Sequence, residues 1–175
     1  MNGSILLWLL LVILFFWVYG LNNRLGRIRA RSLDALGSLE KHLRQYGGLV
    51  HGCIGTQEEE LPARWIRLVD MLHVMDAELK DVRCAPLTGA ALGRLWRSFE
   101  ALQTAWNSLV KAPIDVAGIV VSDALRTEWE ATTFKVLSTR NGVNGILVKY
   151  NEAVRQVPAR WVARLLGYVP VGQIE

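Results

Sequence analysis

Residues 129–157 read WEATTFKVLSTRNGVNGILVKYNEAVRQV, and they decide whether the chain ends in a broken segment or in one long helix. Local chemistry favours a loop. Asn141-Gly142 and Asn144-Gly145 are turn dipeptides, and a glycine inside a helix costs roughly 1 kcal/mol relative to alanine. The pattern favours a helix, because Trp129, Val136, Val143, Leu147, Tyr150, Val154 and Val157 hold a three-four register that a loop of arbitrary length would break. The register decides it, and glycines on a helix can also permit close packing. The helix then runs from about Val120 to Gln156 with Leu125 on the same face, on the order of 55 Å long. Arg140 falls on this apolar stripe, where a cation either reaches out to the bundle edge or pairs with a buried carboxylate. Asn144 and Asn151 lie one position past stripe residues and seven apart, placed to fix helix register or to bridge to a neighbouring subunit.

Working outward, three more stripes share this period. The first joins Leu21, Leu25, Ile28, Ala35, Leu39, Leu43 and Tyr46. The second joins Leu61, Trp65, Leu68, Leu72, Met75, Leu79 and Val82, opening near Pro62, whose missing N–H is harmless in a first turn. The third joins Leu92, Leu95, Phe99, Leu102, Trp106 and Leu109, bounded by the breakers of residues 84–89 and by Lys111-Ala112-Pro113. No strand-length alternation of period two appears. Short links between amphipathic helices predict an all-α, antiparallel up-down four-helix bundle with long first and last helices.

The N-terminus differs in kind. From Met1 to Asn23 there is no charged side chain, and Ile5 to Tyr19 is continuously apolar, with Trp8, Trp17 and Tyr19 in or beside it. Ile5 to Leu21 reaches the short end of the roughly 20 residues that a ~30 Å hydrocarbon core requires. A cleaved signal would show a basic leading region and a small-residue cleavage site, which Val18-Tyr19-Gly20 does not supply. Arg24, Arg27, Arg29 and Arg31 follow at once, and arginine-rich flanks stay in the cytoplasm. The expected organisation is a transmembrane anchor over 1–23 continuing into the first bundle helix, a bundle over 24–157, and a short basic and aromatic helix with its tail over 158–175. The expected location is a bacterial inner membrane, single-pass, with the N-terminus outside and the bundle inside.

The chain has 175 residues, two cysteines, seven tryptophans and a net charge of +4. Cys53 and Cys84 have neither zinc-finger nor thioredoxin spacing and read as two thiols in a reducing compartment. His51 and Cys53 could begin a metal site, but only isolated His42, His73 and Cys84 are left to complete it. Glu58-Glu59-Glu60 suits the entry of a helix, where carboxylates stabilise the positive end of its dipole. His73 and Asp76, one turn apart, have no nucleophile beside them. No phosphate loop, nucleophile elbow or pair of catalytic carboxylates is present, so no catalytic residue, cofactor or metal is expected, and no nucleic acid as partner.

The two ends of the bundle carry a family likeness. Tyr150-Asn151, Val154, Val157-Pro158, Ala163, Leu166-Gly167-Tyr168 and Glu175 resemble the close of the LemA family, which has a Tyr-Asn pair, a hydrophobic residue before proline and a Phe-Gly-Phe-like tripeptide. After the anchor, Asn23, Leu25, Ile28, Arg29, Ala35, Leu39, Glu40, Leu43 and Arg44 fall on its leading motifs. Residues 91–95 with Glu100 resemble its third-helix motif, and Leu125, Glu128, Thr132 and Arg140 fit its last helix. The pattern is divergent: Asn22 and Leu36 stand where the family has tyrosine and tryptophan, His51 where it has proline, and Thr132-Thr133-Phe134 where it has Thr-Glu-Asn. The resemblance implies a membrane-anchored antiparallel helical bundle and supplies no reaction.

Alternating helix direction brings the C-terminus back to the membrane. There Arg155, Arg160, Trp161, Arg164 and Tyr168, beyond the break at Pro158, would join Arg24 to Arg31 in a basic and aromatic collar on the lipid surface. The competing expectation is that Trp161 and Leu165 cap the bundle core. The functional expectation is a non-enzymatic scaffold or regulator, self-associating or binding a protein partner. The alternatives are a lipid-interface protein using the collar, and a metal or ligand sensor using His51 and Cys53.

Overall fold

The computed structural model describes residues 2–55, 61–111, 121–156 and 159–174. Its described residues form five helices and no strand: α1 (Asn2–Ile54), α2 (Ala63–Cys84), α3 (Gly89–Val110), α4 (Asp123–Arg155) and α5 (Ala159–Leu165). At 1.5 Å per residue the 53 residues of α1 span about 80 Å without a break. Its side chains from Ile5 through Phe16 stand exposed, and the helix that they begin is long and apolar enough to cross a membrane. Below it, α1 packs antiparallel to α4, and α2 antiparallel to α3.

The stripes form the core because each turns one face of its helix into a single shared cluster of buried side chains. Leu25, Leu39, Leu43 and Tyr46 of α1 are buried, as are Trp65 to Val82 at three-four spacing on α2, Leu92 to Leu109 on α3, and Leu125, Trp129, Val136, Val143, Leu147, Tyr150 and Val154 on α4. Helix α1 outlasts the expected stripe, since Val50 and Ile54 continue it. The helix stops at Gly55, whose φ of 60° ends the turn and whose N–H bonds the His51 carbonyl at 3.1 Å. Pro62 is the residue before α2 rather than a member of its first turn, and its carbonyl receives the N–H groups of Trp65 and Ile66. The Ser122 hydroxyl accepts the Leu125 N–H and opens α4.

Helix α4 runs through Asn141 to Gly145 unbroken. Gly142 and Gly145 do not use the close packing that glycine permits: a Cβ on either would meet nothing within 4 Å. Burial of Val143, Leu147 and Tyr150 on the opposite face holds the helix through its weak stretch. Glu58 to Glu60, Ala112-Pro113, Val157 and the break at Pro158 lie outside the described residues.

At the centre of the bundle, aromatic rings from three helices meet. Trp106 and Trp129 stack with centroids 4.0 Å apart, and Tyr46 leans on Trp129 at 4.5 Å. One polar chain threads them: the Trp129 indole donates to Gln103 Oε1 (3.0 Å), Gln103 Nε2 donates to the Tyr46 hydroxyl (3.0 Å), and that hydroxyl shares a 2.8 Å bond with Thr133. Burial pushes the Tyr46 phenol pKa up, partly offset by its bonds to Thr133 and Gln103. Side-chain ion pairs clip α2 to its neighbours. Glu40 of α1 takes Arg44 at 2.8 Å and Arg83 of α2, and Arg94 of α3 takes Glu78 (2.9 Å) and Asp81 (3.1 Å).

Candidate functional site

Arg24, Arg27 and Arg31 recur at i, i+3 and i+7, so they stand in one exposed row where the bare part of α1 becomes the bundle helix. Arg29 is exposed on another side, close enough to Tyr150 to lower its pKa against the larger upward push of burial. Asn23 is exposed beside this row, while Ala35 is half-buried against the core.

Helix α5 is brought to the same level. Its end is a Schellman turn: Tyr168 N–H bonds the Ala163 carbonyl at 2.9 Å, Gly167 N–H bonds that of Arg164 at 3.2 Å, and Gly167 takes a φ of 77°. That turn aims the Tyr168 hydroxyl at α1, where it donates to Asn22 Oδ1 at 3.0 Å. Asn22, at the end of the apolar segment, thus receives the hydroxyl of the chain's last tyrosine. Ala159 and Ala163 face the core, leaving Trp161 72% and Leu165 88% exposed. The expectation that these two cap the core is corrected, because the small alanines fill that role and the large residues point away.

Arg155, Arg160, Arg164 and Tyr168 line a cleft of about 280 Å³ with Val154 and Pro170. Together with Arg24 to Arg31 they make seven exposed arginines, none of them in an ion pair among the described residues. Exposed Trp161, Leu165, Leu166 and Val169 add apolar surface to the same end. The structure thus brings the two basic groups of the sequence together around the exit of the apolar segment.

The remaining candidates scatter. His51 opens onto a cleft with Asp70 and His73, whereas Cys53 packs against the core and burial pushes its thiol pKa up. Among the described residues no three His, Cys, Asp or Glu side chains gather to hold a metal. Both cysteines are free thiols, Cys53 on α1 and Cys84 at the end of α2. Arg140 turns inward and meets no carboxylate among the described residues: its guanidinium lies 4.1 Å over the Trp96 ring and donates twice to the Ile174 carbonyl, at 3.0 and 2.8 Å. Asn144 and Asn151 bind the C-terminal tail, which the sequence did not single out as a packed element.

Fold and site together define an all-helical chain with one helix apolar and long enough to cross a membrane, ringed by arginines and aromatic residues where that helix meets the bundle. No protein-family model, curated protein or solved structure matches the chain.

Proposed function

We propose that this is a LemA-like single-pass protein of a bacterial inner membrane, whose bundle sits on the cytoplasmic side and serves as a non-enzymatic scaffold seated on anionic lipid through its basic and aromatic collar. The bond between Tyr168 and Asn22 carries the reading, since it holds α5 at the level where the apolar segment ends. The bareness of Ile5 to Phe16 supports a lipid-facing span over a buried core helix. Exposed Trp161 and Leu165, beside arginines in no ion pair among the described residues, suit an interface with negative headgroups, where each basic side chain adds about 1 kcal/mol. The scaffold role draws on Phe134, 73% exposed on α4 beside Leu137, an apolar spot on the flank for a protein partner.

The test places an environment-sensitive fluorophore on Leu165→Cys, in a Cys53→Ser, Cys84→Ser background, and reconstitutes the full chain in vesicles. The expected emission is that of the headgroup region in anionic vesicles, shifting toward that in water when salt rises or when Arg155, Arg160 and Arg164 become glutamine. Water-like emission in anionic vesicles at low salt would contradict the lipid seat.

A further inference from the structure

After α5 the chain turns back and runs along α4 in the opposite direction, and α4 reads its backbone. Asn151 takes both polar groups of Val171, its Nδ2 donating to the Val171 carbonyl at 2.7 Å and its Oδ1 accepting the Val171 N–H at 2.8 Å. Asn144 does the same at Ile174, at 3.0 and 2.9 Å. Tyr150 donates to the Val169 carbonyl at 3.1 Å, and Arg140 closes the far end on the Ile174 carbonyl. The spacing is a geometric match. Seven helical residues advance roughly 10.5 Å, and three extended residues advance roughly 10 Å, so asparagines seven apart on a helix meet every third residue of an extended strand.

Val171 and Ile174, 7% and 2% exposed, fill the core beneath, and on the other side Gly172 lies against Gly89 so closely that a Cβ on Gly89 would come within 3.1 Å of the tail backbone. Recognition therefore rests on backbone amides and two apolar side chains three apart. Such a groove favours an extended segment of that pattern with glycine after the first read position, where a Cβ would come within 3.3 Å of Gly89, and no proline at either read position, because proline lacks the N–H that each asparagine oxygen takes.

We infer that this face of α3 and α4 is a receptor groove for an extended C-terminal segment, filled by the chain's own tail and open to the same tail of a second copy. The second copy is the occupant because it presents an identical segment on the same short turn at Gly167, and exchange of an identical element joins two protomers without new contacts. The groove holds tail to bundle through protein groups alone, so the inference stands or falls apart from the lipid seat.

Two differently tagged full-length variants in detergent test it: one with Asn144→Ala and Asn151→Ala, carrying a tail but no reader, and one ending at Tyr168, carrying a reader but no tail. Each alone is expected to be a monomer, and their mixture a one-to-one pair that a free peptide of residues 169–175 separates and the same peptide with Val171→Pro does not. Helical variants that fail to pair would overturn the inference, as would capture of a different protein by the tail-less copy in place of its partner. Should either variant lose its helicity, hydrogen exchange in the intact chain decides. Amides of Val171 and Ile174 exchanging on the order of tenfold or more faster than those of Val143 and Leu147 would support a tail that leaves its groove, and equal rates would overturn it.

Discussion

Gln103 sets one amide between a phenol, a hydroxyl and an indole that belong to α1 and α4, so replacing it leaves the buried Trp129 indole N–H without its partner, while the Tyr46 and Thr133 hydroxyls keep each other. Gln103→Leu is expected to lower stability by about 1–3 kcal/mol in denaturant titration of the detergent-solubilised chain, with the helical content of the folded state retained. Glu40 gives a pH dependence with a definite sign. Burial would raise its pKa, but hydrogen bonds from Arg83 and Arg44 outweigh that and hold the carboxyl below its ordinary 4.5. The stabilisation it lends is fully present above that ordinary value and is lost as pH falls through the lowered folded one. Unfolding followed from neutral pH to below 4.5 is therefore expected to show less acid sensitivity in Glu40→Gln than in the parent, and the effect is small because the pair is largely solvated. Neither the Gln103 network nor the role of Arg140 was legible in the sequence. Gln103 sits one step off its apolar stripe, Thr133 is a polar residue in the gap between Trp129 and Val136, and the carbonyl that Arg140 binds lies 34 residues away, where periodicity has no reach.

At the level of elements, the periodic signal was legible because each stripe faces one core, and the local turn signal in α4 was misleading for a physical reason. Gly142 and Gly145 weaken the helix without being needed for contact, since open space lies beyond each. Gly142→Ala and Gly145→Ala are expected to stabilise the chain by up to about 1 kcal/mol each, measured by thermal or denaturant unfolding; close packing at either site would reverse the sign. The glycines of the tail contact behave differently. Gly89→Val places a branched side chain where α3 already touches the Gly172 backbone, and is expected to loosen the tail, seen as faster hydrogen exchange at Val171 and Ile174. The asparagines of α4 were visible in the sequence as polar residues beside a stripe. Their purpose was not, because an extended tail carries no periodicity and its pairing with a helix is long-range.

For the whole molecule, two things meet at one level: the end of an exposed apolar helix and a group of arginines that form no ion pair among the described residues, with exposed aromatic and aliphatic side chains beside them. The sequence marked both, and its alternating helix directions foretold the return of the C-terminus. The bond from Tyr168 to Asn22 sets the level at which that return ends. In the proposed arrangement Ile5 to Leu21 spans the bilayer with the bundle on its arginine-rich side. The most direct measurement is thiol labelling of single cysteines at Val12 and Phe134, in a chain otherwise free of cysteine, using a membrane-impermeant reagent on right-side-out and inverted membrane vesicles. The expected pattern is no labelling of Val12→Cys in either, and labelling of Phe134→Cys in inverted vesicles alone. Ready labelling of Val12→Cys, or labelling of Phe134→Cys from the outside, would contradict it.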